Sequence, residues 1–78
     1  MTNELVAKSW KNNIIASNKN LSTDGISLYS YNLKIGYTKN GKKIAIDHTA
    51  GGGSFYSSTT SRHVSYAKKF SDVIETPQ

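Results

Sequence analysis

The chain has no cysteine, so neither a disulfide framework nor a thiolate metal site holds it together. Two histidines and five acidic residues are all the other ligands it offers, and a zinc site would need both histidines plus distant carboxylates. No apolar run approaches the roughly 18 residues that a bilayer-spanning helix requires. The opening MTNELVAKSW has neither the basic start nor the apolar middle of a secretory signal. The expectation is a single domain over 1–78, cytoplasmic, with no cofactor, no metal and no membrane contact. At 78 residues it buries only about 60 % of its unfolded surface, which leaves stability to tight packing or self-association.

Acidic side chains are scarce beside basic ones. Ten Lys and Arg against five Asp and Glu give a net charge of +5. That bias favours acidic partners: nucleic acid first, an acidic protein surface second, anionic lipid third. A basic surface kept for solubility explains the same number.

The best-specified stretch is LYSYNLKIGYTKNGKKIAIDHT, Leu28 to Thr49. Asn40-Gly41 suits a two-residue turn in which both central residues take positive φ. With the turn there, Lys39 faces Lys42, Thr38 faces Lys43, Tyr37 faces Ile44, Ile35 faces Ile46 and Leu33 faces His48. Tyr37/Ile44, Ile35/Ile46 and Leu33/His48 then form an apolar face, expected to meet the core. Thr38/Lys43, Gly36/Ala45 and Lys34/Asp47 form the other.

Around this hairpin the rest is built outward. Residues 1–9 are expected to be loosely held, with a helical turn over Glu4 to Ser9 capped by Thr2 or Asn3. Trp10 to Ser17 reads as a first strand with Trp10 as a core lid. Asn18 to Gly25 reads as a loop, Gly25 supplying a positive φ. The second strand begins near Ile26, and its apolar parity changes between Leu28 and Tyr29. A bulge near Leu28 to Ser30, or cover on both faces, accounts for that.

Gly51-Gly52-Gly53 lacks the GK[ST] ending and following helix of a phosphate loop, and its role stays open. Ser54 to Thr59 reads as a short strand with Phe55 inward. His63, Tyr66, Ala67, Phe70, Val73 and Ile74 share one helical face, with Thr60 or Ser61 as N-cap and Pro77 as stop. The fold class is α+β: a four-stranded antiparallel sheet followed by one C-terminal helix packed on one face, ββββα.

No enzymatic cluster stands out. Asp47 and His48 are strand neighbours and point to opposite faces, and no serine sits in a nucleophile elbow. No catalytic residue is assigned, and the chain is taken as a non-enzyme. For nucleic-acid binding the candidates are Lys39, Lys42 and Lys43 at the hairpin tip, and Arg62 and Lys69 on the helix. Tyr29 and Tyr31 are the candidate stacking surfaces. Thr60 and Ser61, at the expected helix start, are the candidate small-anion site. Lysines beside a turn also guard a sheet edge against aggregation, and that ordinary role competes with binding.

TDGISLYSYNLKIGY followed by GKKIAIDHTAGGGSFYSSTTSRHV resembles a set of small uncharacterised bacteriophage proteins. These share a Ser-Tyr or Tyr-Asn strand with Ile-Gly, a Thr-Ala-Gly-Gly step and a Thr-Ser-x-His-Val helix start. The likeness spans Thr23 to Val64 and implies a phage product acting in the host cytoplasm; it carries no catalytic residues. The strand order is also similar to that of the single-stranded-DNA-binding coactivators, by topology and without a shared motif. The expected function is a small basic, dimeric protein contacting nucleic acid. The alternatives are an inhibitor of an acidic host protein and a structural virion component.

Overall fold

The computed structural model describes residues 1–47 and 58–76. Among them lie two helices and a six-stranded mixed sheet in an α+β arrangement. Helix α1 spans Asn3–Lys11 and helix α2 spans Ser58–Phe70. The strands are β1 Ala16–Ser17, β2 Leu21–Thr23, β3 Leu28–Ser30, β4 Leu33–Lys39, β5 Lys42–Ile46 and β6 Val73–Glu75. Sheet order follows chain order; β1 to β5 pair antiparallel, and β6 adds parallel to β5. The ββββα expectation has the class and the antiparallel centre but misses α1 and β6.

Helix α1 extends the turn expected over Glu4 to Ser9, with Thr2 as its cap, in place of a loose N-terminus, and of the strand expected over Trp10 to Ser17 only Ala16–Ser17 remains, as β1. The Thr2 hydroxyl accepts the Leu5 amide at 3.2 Å, Glu4 sits in the first turn, and Lys8 and Lys11 sit in the last. These charges suit the helix dipole. Val6, Ala7 and Trp10 lie on one side and are wholly buried. Ile14 and Ile15, whose β-branched shape reads as strand, are 55 % and 78 % exposed in the connection that follows. Asn13, at φ 60°, turns the chain there.

The segment expected as a loop holds β2. The Asn18 side-chain oxygen accepts the Asn20 and Leu21 amides, both at 2.8 Å, and so turns the chain back into pairing. Asp24 does the same for Ile26 and Ser27, with Gly25 at φ 91° as expected.

The strand expected to run from Ile26 to Tyr37 folds back on itself. Tyr31 takes φ 54°, Ser30 pairs with Leu33, and β3 and β4 become neighbours. Their register then slips: Leu28 faces Gly36 while Tyr29 faces Lys34, leaving Ile35 as the extra residue of a bulge. The expectation of an irregularity near Leu28 is met, with a turn beside it.

The Asn40-Gly41 hairpin has the expected register, Gly36/Ala45 through Lys39/Lys42, with φ of 53° and 77° in the turn. The faces are reversed. Both helices pack on the Gly36/Ala45 side: Ala45 is wholly buried with Val6, Trp10, Val64 and Ala67, and the Trp10 ring lies against Gly36. The bulge is the reason. It turns Ile35 and Leu33 into this core, while Tyr37, Ile44 and Ile46 keep their alternation and point away. Ile35 and Ile46 therefore lie on opposite sides of the sheet.

Helix α2 starts at Ser58, ahead of the expected cap at Thr60 or Ser61 and taking in the end of the strand expected over Ser54 to Thr59, and stops at Phe70. Val73 and Ile74 leave the helix for β6. The Asp72 carboxylate accepts the Lys43 amide at 2.9 Å, and the Asp72 amide donates to the Lys43 carbonyl at 2.7 Å. This double link lays the β-branched pair along β5. His48, the Gly51–Gly53 segment, Phe55 and Pro77 lie outside the described residues.

His63 sits at the heart of the core with no exposed surface, as the helical spacing implied. Its surroundings fix its state. The Asn20 and Leu21 amides occupy Asn18 Oδ1, so Asn18 Nδ2 donates to Asn3 Oδ1 at 2.8 Å. Asn3 Nδ2 is thereby turned to His63 Nε2 at 3.2 Å, which must accept. The neutral ring then carries its proton on Nδ1 and donates to Ser30 Oγ at 2.6 Å.

Candidate nucleic-acid interface

Helices α1 and α2 cover one face of the sheet, and among the described residues nothing packs over the other, called the open face below. Pairing carries Ser17, Ser22, Tyr29 and Lys34 across that open face in one row. Tyr37, Ile44 and Val73 form the next, and Lys39 and Lys42 face each other at the hairpin tip. Lys34, Lys39 and Lys42 are exposed, and Tyr29 and Tyr37 are half-buried.

Two like charges directly opposed on a ladder destabilise it. The Lys39/Lys42 pair is thus a concentration of positive charge that a polyanion would relieve. Asp24 lies near Lys34, and Glu75, next to Ile46, accepts the Tyr37 hydroxyl at 2.9 Å through its carboxylate. That bond pushes the Tyr37 pKa up, holding the phenol neutral.

The sequence candidates divide. Lys39, Lys42 and Tyr29 come together on the open face. Lys43 does not: it is 4 % exposed, beneath the helices. Its ammonium donates to Asn13 Oδ1, to Thr38 Oγ1 at 2.6 Å and to the Gly25 carbonyl at 3.3 Å, and it stands 5.6 Å from the Trp10 ring centre. Burial pushes its pKa down, and Asp72 and Asp24 oppose that. Strand alternation buried it, since Lys42 and Lys43 cannot both face out.

Arg62 and Lys69 are exposed on α2, in the other layer, and Lys69 is paired with Glu4 at 2.6 Å. Tyr31 sits in the β3–β4 turn with its ring 5.9 Å from that of His63, away from Tyr29. Thr60 and Ser61 are the third and fourth residues of α2 rather than its cap, because the helix begins earlier; the Ser61 carbonyl accepts the Ser65 hydroxyl at 3.1 Å.

Lys34 and Tyr37 are the members of this face that sequence reasoning misses. Regular alternation places Tyr37 in the core, and only the bulge at Ile35 reveals otherwise. A tyrosine near a lysine of the same face, both across from alternate residues of a second strand, is the available signal.

Among the described residues no group of three or more His, Asp or Glu is placed to hold a metal ion, and no helix is long and apolar enough to cross a membrane. No protein-family model, curated protein or solved structure matches this chain.

Proposed function

We propose that this chain is a small basic binding protein whose open sheet face contacts nucleic acid. The observation that carries the reading is the segregation of Tyr29, Lys34, Tyr37, Lys39 and Lys42 onto the face that, among the described residues, no helix covers. Flat sheets with outward aromatic and basic side chains are a recurrent nucleic-acid surface, the rings meeting bases and the cations meeting phosphates. A partner in a host cytoplasm is part of the same proposal.

Oligonucleotide retention across a salt gradient tests it. A Lys34, Lys39, Lys42 triple alanine variant is expected to elute at lower salt. Its affinity should fall less steeply with log salt, by about 0.7 for each single-strand phosphate that the variant no longer neutralises. A Lys8, Lys11, Arg62 triple variant removes equal charge from the helix layer and is expected to elute near wild type. Equal losses in the two variants contradict the reading. Capture of one acidic host protein after nuclease treatment, with no oligonucleotide retention, favours the rival in which the same cations clamp a protein.

A further inference from the structure

The position of the Tyr37 hydroxyl says more about the ligand. Tyr37 is on β4 opposite Ile44 of β5, which is opposite Val73 of β6. Two strand spacings, about 10 Å, separate β4 from β6. The Tyr37 hydroxyl meets Glu75 of β6 at 2.9 Å only if its ring lies down across β5. Ile44, on the same face, is just 8 % exposed, although neither α1 nor α2 packs on this side. Laid in that way, the ring turns one side to the sheet, and Tyr37 is half-buried. Two residues along the strand, roughly 7 Å, Lys39 and its partner Lys42 stand on the same face.

We infer that the open face takes single-stranded nucleic acid, stacking an unpaired base on the pinned ring of Tyr37 while the adjacent phosphates meet Lys39 and Lys42. This rests on the nucleic-acid reading above. Inside a duplex each base already has a neighbour above and below, so a ring lying in the plane of a sheet finds no base face to cover. A single strand presents such faces, and stacking tolerates any sequence because every base has one. Glu75 acts as a positioning residue: its hydrogen bond holds the ring down before any ligand arrives, which removes an ordering cost from binding.

The test compares three labelled probes of equal length at fixed low salt: oligo-dT, a duplex and an abasic oligodeoxynucleotide. Wild type is expected to bind oligo-dT most tightly. Tyr37→Leu is expected to lower oligo-dT affinity by about 5- to 150-fold, toward that of the abasic probe, and to leave abasic binding unchanged. A Lys39→Ala, Lys42→Ala variant is expected to weaken all three. Proton NMR of the wild type gives an answer independent of any variant: the Tyr37 ring resonances are expected to move upfield with oligo-dT and to stay in place with the abasic probe. If duplex or abasic probe binds as tightly as oligo-dT, or the Tyr37 ring does not shift, the single-strand inference is wrong while the nucleic-acid reading stands. If no probe binds, both are wrong.

Discussion

A Cβ placed on Gly36 would stand 2.8 Å from Cζ2 of Trp10 and 3.0 Å from its Cη2. The indole cannot retreat, because its N–H donates to the Ile26 carbonyl at 3.0 Å and the ring is wholly enclosed. Close approach, and no special φ, is what Gly36 provides. Gly36→Ala should therefore cost about 1–3 kcal/mol by overpacking, read from the urea midpoint; an unchanged midpoint would show that α1 can slide.

Buried and neutral, His63 links stability to pH. Burial holds its pKa below the ordinary 6.5, so between the two values the unfolded chain binds more protons than the folded one. Its contribution is complete above pH 6.5 and is lost as pH falls through the lower folded value. Protonation would also set two donors, Asn3 Nδ2 and His63 Nε2, against each other, and Asn18 blocks the flip that would relieve them. The ring's hydrogen-bond partners, Asn3 of α1 and Ser30 of β3, are uncharged, and Tyr31 is an ionisable group beside it. In a His48→Gln background, stability should decline below pH 6.5 with a slope of at most about 1.4 kcal/mol per unit. A further His63→Gln change should flatten that window.

Lys42 and Lys43 should behave oppositely. Lys43→Met strips a donor from Asn13 Oδ1, Thr38 Oγ1 and the Gly25 carbonyl, and should cost about 1–3 kcal/mol with oligonucleotide affinity retained. Lys42→Ala should leave stability within about 0.5 kcal/mol and weaken binding. Paired melts and binding isotherms decide; matching effects would refute the burial argument.

Asp72 ties β6 to β5. Asp72→Ala leaves the Lys43 amide without its acceptor at 2.9 Å and should loosen the strand behind it. Faster hydrogen exchange at the Asp47 amide, which donates to the Glu75 carbonyl at 2.7 Å, is the expected sign. Loss of the Glu75 pin on Tyr37 should follow in the same variant.

The hairpin at Asn40-Gly41 was legible because turn chemistry alone fixes its register. Which of its faces meets the helices was not. One bulged residue, Ile35, reverses the alternation upstream, and nothing local distinguishes a bulged isoleucine from a regular one. The parity change at Leu28 was visible, but the turn at Tyr31-Asn32 was hidden because tyrosine rarely takes positive φ. Helix α1 was legible only as a turn over Glu4 to Ser9 capped by Thr2 or Asn3; its extension through Trp10 was hidden because its buried set is just Val6, Ala7 and Trp10, while Ile14-Ile15 mimics a strand. In α2 the helical spacing of Val73 and Ile74 continues past the true end, and the long-range Asp72–Lys43 link that stops it cannot be seen in sequence. Of the candidate site, Lys39, Lys42 and Tyr29 were found from sequence; Lys34 and Tyr37 needed the fold.

The most direct measurement is amide shift mapping of the whole chain with a short single-stranded oligonucleotide at low salt. Perturbations are predicted at Tyr29, Lys34, Tyr37, Lys39 and Lys42, weakening together as salt rises. Perturbations centred instead on Lys8, Lys11 and Arg62, with the open face silent, would contradict it.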